Sequence, residues 1–445
     1  MKNIKTYIIL LLVQSIFLKV AGQERKLNLK EAVQLALTEN RWLKNAELEK
    51  DKSSLKIKET RGLALPSINI TGQYLDFFQK QVSFLPGNFV GLSEDQIAVL
   101  RVGGKHSFVG SVNLVQPLFQ PAVPNQIRAA GIADKVTEQS LLSTRNNVVT
   151  ATKKAYLNVL IAVEQEKLIR QSISRNQRAL KDARSLLAQG RASRADTLRA
   201  FVSLENLQPE LRKWEQEINI QKILLRQVIG LNENENLSLT DSLFYSPLLQ
   251  STADTAGIPL WKSRPEIQGL TYQEQLQEVL VHQAIFQRLP QLNLVGSIIG
   301  QTQANDLKFN KYTFPASSYV GLQLQIPVFS GLRNIYSTKI ARVNKHQVST
   351  QLENAKSEVA TQVQVNALKL KEAESRVSSQ QVVVNAAQLM FQLISDRYKQ
   401  GISSRLELTD AELSLTLARS NYLRSVYDYS IAGIDLEHAV GKISE

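Results

Sequence analysis

Two periodicities divide this chain. Over Ser67–Tyr74, Ser67, Asn69, Thr71 and Gln73 alternate with Ile68, Ile70 and Tyr74 across Gly72, and Phe108–Gln116 sets Phe108, Val112 and Leu114 against Ser111 and Asn113. Farther along, Leu292, Leu294 and Ile298 oppose Asn293, Ser297 and Gln301, and Val320, Leu322, Leu324 and Ile326 oppose Gly321, Gln323 and Gln325. A period of two gives strands with one apolar and one polar face, so four strands are expected. Elsewhere the period lengthens to seven. Val363, Leu370, Val377, Val384, Phe391 and Tyr398 form one stripe, and Leu352, Val359, Ala373, Ala387 and Ile394 form a second. No proline follows Pro327, and no glycine lies between Leu332 and Gln400, which predicts one helix of roughly 100 Å at 1.5 Å per residue. Heptads of this kind pack as coiled coils. Val159, Ile173, Leu180 and Leu187 repeat the pattern on a helix opened by Pro121 and Pro124.

The chain also contains itself twice. QGRASRADTLRAFVSL at 189–204 and QGISSRLELTDAELSL at 400–415 share seven of sixteen residues at an offset of 211, and the same offset pairs Gly230 with Gly441. Each copy reads as a helix, two strands and a long helical hairpin whose tip is a glycine, Gly190 or Gly401. The opening helices are expected over 27–61, with Asn28 and Glu31 at capping-box spacing, and over 264–288. Pro209 should kink the returning helix of the first copy. The expected organisation is a first repeat over 23–230, a linker over 231–262 and a second repeat over 263–445.

Composition narrows the setting. Lys2 and Lys5 precede an apolar run from Tyr7 to Leu18 and then Val20-Ala21-Gly22, which reads as a signal peptide over 1–22. No later run is long enough for a membrane helix. Absence of cysteine removes disulfides, thiolate chemistry and lipidation at an N-terminal cysteine. The net charge of +13 comes from scattered Lys and Arg, with no dense basic block, so no nucleic-acid partner is expected.

Catalytic chemistry has little foothold. His106, His282, His346 and His438 are isolated, which leaves no metal or cofactor site to assign, and Val102-Gly103-Gly104-Lys105 lacks the leading glycine of a phosphate loop. Carboxylates at Asp196, Glu407 and Asp410 have no nucleophile beside them, so no enzyme is expected. The aromatics cluster instead around the strands, from Tyr74, Phe77, Phe78, Phe84, Phe89, Phe108 and Phe119 to Phe309, Tyr312, Phe314, Tyr319 and Phe329, as membrane-interface girdles do. Four strands cannot close around an aqueous lumen, and lipid forbids open sheet edges. Strands from several chains must share one barrel, with Ile68, Ile70, Val320, Leu322 and Leu324 toward lipid.

Three strings sharpen this reading: LNLKEAVQLALTEN at 27–40, KKAYLNVLIAVE at 153–164 and SRPEIQGL at 263–270. Together with the duplication and both tips, they resemble the TolC-type outer membrane efflux proteins over nearly the whole chain. That resemblance implies a membrane β-barrel plus a long α-helical coiled-coil tunnel, formed by a homotrimer whose protomers contribute four strands each to a 12-stranded barrel. It implies a place in the outer membrane of a Gram-negative bacterium with a large periplasmic portion. The partners it implies are a periplasmic adaptor (membrane fusion protein), docked at the Gly190 and Gly401 tips, and an inner-membrane transporter, in an efflux or type I secretion system. By the same resemblance Glu407, Asp410, Asp196 and Tyr398 line the periplasmic aperture. Ser403 stands where the family often carries a gate arginine, with Arg405 the nearest replacement. The competing expectation is a soluble periplasmic coiled-coil scaffold or adaptor.

Overall fold

The computed structural model describes residues 25–91, 93, 95–232, 235–247, 260–308 and 311–441. The signal peptide expected over 1–22, Phe309 and much of the 231–262 linker lie outside them. In chain order the elements are β1 (Arg25–Leu27), α1 (Leu29–Glu39), α2 (Arg41–Gly62), β2 (Ser67–Asp76), β3 (Gln81–Pro86), β4 (Ile97–Val102), β5 (His106–Phe119), α3 (Ala122–Ala188), α4 (Arg194–Glu205), α5 (Leu207–Ile229), β6 (Leu237–Leu239), α6 (Pro265–Phe286), β7 (Gln291–Ala304), β8 (Ala316–Gln325), α7 (Arg333–Lys399) and α8 (Arg405–Val440). They form two compact units, one from residues 51–135 and 272–350, the other from 1–50, 136–271 and 351–445.

The first unit holds a four-stranded antiparallel sheet in the order β2-β5-β7-β8, so the repeats join by pairing β5 with β7. Its register sorts side chains by polarity. Ile68 faces Leu114, Ile70 faces Val112, Val112 faces Ile298 and Leu294 faces Leu322, all on one side. On the other side Thr71 and Ser111 hydroxyls meet at 2.6 Å, Asn113 Nδ2 donates to Ser111 Oγ at 2.9 Å, and Ser297 Oγ donates to Asn113 Oδ1 at 2.7 Å. The apolar side stays bare within the protomer: Ile70 is 80% and Val320 72% exposed. Beyond the four expected strands, β3 and β4 form a separate hairpin.

The second unit is helical and is centred on Tyr156, which is fully buried. Its hydroxyl donates to Leu27 O at 3.0 Å and to Asp241 Oδ2 at 2.9 Å, and the same carboxylate accepts Leu29 N–H at 2.9 Å. Burial and the neighbouring Asp241 raise the phenol above its ordinary range. β1 and β6 pair in parallel beside this knot, which supplies secondary structure within the linker.

The expected single helix over 27–61 is broken. The capping box at Asn28 and Glu31 forms, but Asn40 ends α1, donates its Nδ2 to Val228 O at 2.6 Å and accepts Leu43 N–H at 3.0 Å. A polar side chain serving two helices at once outweighs unbroken propensity. Gly230 makes the approach possible: at φ +89° it caps α5, and a Cβ there would lie 2.4 Å from Glu39 O. Its copy-two counterpart Gly441, at φ +73°, caps α8 beside Ser263, whose Oγ donates to Val440 O at 3.0 Å.

Each hairpin has an apolar seam. Ile169, Ile173, Leu180 and Ala183 of α3 pack on Ala200 and Leu204 of α4, with Leu211 and Trp214 of α5 alongside. Ala373 and Val377 of α7 pack on Val426 and Tyr429 of α8. Leu187 departs from the expected stripe and is exposed, because it lies in the last turn before the tip. The first hairpin's return is split at Asn206, three residues before Pro209, since proline has no N–H for the helical ladder; α8 runs unbroken. Polar contacts join α3 and α8: Lys153–Glu437 at 2.9 Å, Asn158–Tyr427 at 2.6 Å, Gln165–Ser420 at 3.0 Å and Ser172–Thr416 at 3.0 Å.

Candidate functional site: the helical tips

Both tips are built alike. Gly190 at φ +71° and Gly401 at φ +76° end α3 and α7 in the left-handed region. The amides that follow fold back in a Schellman arrangement, Arg191 N to Leu186 O and Ile402 N to Arg397 O, each at 2.9 Å. A Cβ at Gly190 would meet nothing, and one at Gly401 only Arg191 Nη2 at 3.9 Å. The returning helices then start at serine caps. Ser193 Oγ accepts Asp196 N–H at 3.2 Å, and Ser404 Oγ accepts Glu407 N–H at 3.2 Å.

Asp196 is engaged locally. One of its oxygens accepts Ser193 Oγ–H at 2.6 Å and Ser193 N–H at 3.1 Å, completing a capping box, and Arg199 approaches at 3.7 Å. The Ser193 bonds, followed by the nearby cations, hold the carboxyl below its usual range. Glu407 and Asp410 lie three apart on α8 and are both exposed. Tyr398 is half-buried, and burial raises its phenol.

Arg405 does not sit at the surface where an aperture-lining replacement for the missing arginine would. It is 2% exposed, its Cζ lies 5.9 Å from the Tyr398 ring centroid, and its Nη2 lies 3.9 Å from Glu412 Oε2. All three guanidinium nitrogens and Glu412 Oε2 have no hydrogen-bond partner among the described residues. Burial raises the Glu412 carboxyl, against the lowering pull of Arg405 and then Arg175. Arg175 reaches the same region from α3, donating to Ser172 Oγ at 2.8 Å and Thr416 Oγ1 at 3.2 Å. Sequence reading overlooked Glu412. The signal was there: Arg405, Leu408, Glu412 and Leu415 form an i, i+3, i+7, i+10 stripe, so Glu412 is a charge at a core position.

Among the described residues no three His, Asp or Glu side chains converge as metal ligands would, and no helix is long and apolar enough to cross a membrane. The sheet is what offers an apolar surface.

The outer membrane efflux protein family model matches residues 32–231 and 260–442. The chain belongs to that family. It is 24% identical to the outer membrane protein TolC of Salmonella enteritidis over 447 residues, covering 94% of this chain and 82% of that protein. To the alkaline protease secretion protein AprF of Pseudomonas aeruginosa it is 22% identical over 343 residues, 76% of this chain and 70% of the relative. The fold is similar to that of the CmeC outer membrane channel of Campylobacter jejuni, with a TM-score of 0.75 at 16% identity, covering 93% of this chain and 85% of the other. This efflux protein therefore has the fold that the resemblance implied, barrel-type strands with a long helical tunnel part, and its place is the outer membrane.

Proposed function

We propose that this efflux protein is one protomer of a homotrimeric channel that passively conducts substrates across the periplasm and outer membrane, supplied by an inner-membrane transporter through a periplasmic adaptor. The observation that carries the reading is the sheet. It has two unpaired edges, β2 and β8, and one exposed apolar face. Lipid tolerates the apolar face but not the edges, and a sheet of four strands is too narrow to close on itself. Three copies joined edge to edge would make a 12-stranded barrel with Ile68, Ile70, Val320, Leu322 and Leu324 toward lipid and the hydroxyl and amide face toward water.

The two repeats, 23–230 and 263–445 about the 231–262 linker, would then each supply one helical hairpin per protomer, six in the trimer, to the tunnel wall. Gly190 and Gly401 would present bare backbone to the adaptor. Glu407 and Asp410, exposed and tripled by symmetry, would form acidic rings at the aperture, with Asp196 and Tyr398 nearby. The name of the relative AprF, a secretion protein, supports export of this kind, and that of TolC, an outer membrane protein, supports the location.

Extraction of outer membranes tests the reading. A trimer that needs detergent to stay in solution is expected. A monodisperse, detergent-free monomer of the exported chain would overturn it.

A further inference from the structure

Past Asp76 the chain leaves the four-stranded sheet and forms the β3–β4 hairpin, which no third strand joins among the described residues. Its root is fixed. Asp76 pairs with His106 and Gln81 with Val102, so four residues connect one side and three the other. The shorter side is Gly103-Gly104-Lys105, the string that mimics part of a phosphate loop. Gly103 adopts φ +86°, and a Cβ on Gly104 would lie 2.3 Å from Ala304 N, so the two glycines let the root press against the end of β7. Gly104 N–H donates to Gln303 Oε1 at 3.1 Å and Lys105 N–H to Asn305 Oδ1 at 3.3 Å.

The hairpin is held at its root and bare beyond it. Its register sets Phe84 opposite Val99 and Pro86 opposite Ile97 on one face, with Phe84 68%, Val99 61% and Ile97 70% exposed. A lone two-stranded hairpin is marginal in water, and contiguous exposed apolar surface marks an interface.

Topology says what lies next to it. β2 runs toward its end at Asp76, while β8 starts at Ala316, opposite Gly300, and both ends lie on the rim shared with His106 and Ala304. When copies join edge to edge, β2 of one lies antiparallel to β8 of the next. The hairpin leaving β2 then stands beside the neighbour's loop entering β8. That loop also exposes apolar side chains, Leu307 at 53% and Phe314 at 51%.

We propose that the apolar face of the β3–β4 hairpin docks on the β7–β8 loop of the adjacent copy, at Leu307 and Phe314, and clasps neighbouring protomers together beyond the barrel wall. This rests on the shared-barrel reading, and it continues the β2–β8 seam past the strands. The clasp buries on a second copy the apolar face that each hairpin leaves open.

Because the chain has no cysteine, engineered pairs report only themselves. Phe84→Cys combined with Phe314→Cys, and Val99→Cys with Leu307→Cys, probe the clasp in intact outer membranes under a short bifunctional thiol reagent. Thr71→Cys combined in turn with Ser317→Cys, Tyr319→Cys, Gly321→Cys and Gln323→Cys probes the seam. Covalent dimers and trimers are expected from a clasp pair and from at least one seam pair. Seam crosslinks without any clasp crosslink overturn the clasp and leave the barrel standing. No crosslink from any seam pair overturns the barrel, and the clasp with it. Phe84→Glu with Val99→Glu should lower the temperature at which trimers dissociate while seam crosslinks persist; an unchanged temperature would mean that the face stays open to water, and would overturn the clasp.

Discussion

Arg405 and Glu412 face each other across two turns of α8, 3.9 Å apart, at 2% and 6% exposure, with neither the guanidinium nitrogens nor Glu412 Oε2 hydrogen-bonded among the described residues. Attraction between buried ions must offset their desolvation, and without hydrogen bonds it does so poorly. The pair is close to the acidic stretch that begins α8. It makes this end of α8 a place where water can compete with packing.

The first prediction concerns pH. Glu412 is faced by Arg405 from its own helix and Arg175 from α3, yet burial keeps its carboxyl above the ordinary 4.5. A raised carboxyl stabilises the packed state below the unfolded value and loses that contribution as pH rises through the folded one. Hydrogen exchange over the first three turns of α8, corrected for intrinsic rates, should therefore show more protection on acidification toward that value. Glu412→Gln should flatten the response. A wild-type profile as flat as the variant's would disprove it.

Removing one partner is a separate matter. Arg405→Ala strands Glu412 and should cost about 3–5 kcal/mol, whereas Arg405→Leu with Glu412→Leu should be near neutral. Thermal denaturation of the purified protein distinguishes the two, and equal losses in both variants would count against the buried pair.

Near the Gly401 tip, where an aperture is proposed, Glu407 and Asp410 are exposed and lie outside the apolar stripes. Glu407→Ala with Asp410→Ala should abolish cation preference and multivalent-cation block in single-channel recordings, because one-signed charge in a narrow mouth focuses the field. The Ser404 cap uses the backbone of residue 407 and should survive. Preference that persists in the double variant would place selectivity elsewhere. In the wild type it should fade as salt shortens the Debye length.

The paired glycines should not respond alike. A methyl at Gly230 would strike Glu39 backbone at 2.4 Å, but at Gly441 the nearest atoms would be Arg264 Cγ at 3.1 Å, Ser263 Oγ at 3.2 Å and Ser263 C at 3.3 Å. Both positions carry the strain of a positive φ, so Gly230→Ala should destabilise by clearly more than Gly441→Ala, the latter costing about 1 kcal/mol. Urea midpoints of the two variants provide the check, and a reversed order would be incompatible with the Gly230–Glu39 approach.

On the sheet, Ile70→Arg should cost about 2–4 kcal/mol in trimer stability if that face meets lipid. Thr71→Arg, one residue along and on the opposite face, should be tolerated. Refolding titrations into detergent micelles or bilayers compare them directly, and equal penalties would refute the assignment of faces.

Much of this was legible because it is local. Period two over Ser67–Tyr74 and period seven over Val363–Tyr398 encode strand and helix whatever surrounds them, and Gly190 and Gly401 mark the tips because few other residues adopt their backbone angle. The duplication showed that each solution is used twice. What required the tertiary structure was non-local: that β5 pairs with β7 and joins the repeats, that Asn40 breaks the opening helix to hold Val228 O, and that Gly103 and Gly104 serve a close approach to β7. Charge placement belongs to the same class. Asp196, Glu407 and Glu412 are all carboxylates within two turns of helix starts; the local spacing to Ser193 makes Asp196 a cap, whereas only the packing of α8 against its neighbours leaves Glu407 at the surface and buries Glu412 beside Arg405. Periodicity names the side of an element that turns inward; which atoms it meets there depends on segments hundreds of residues away.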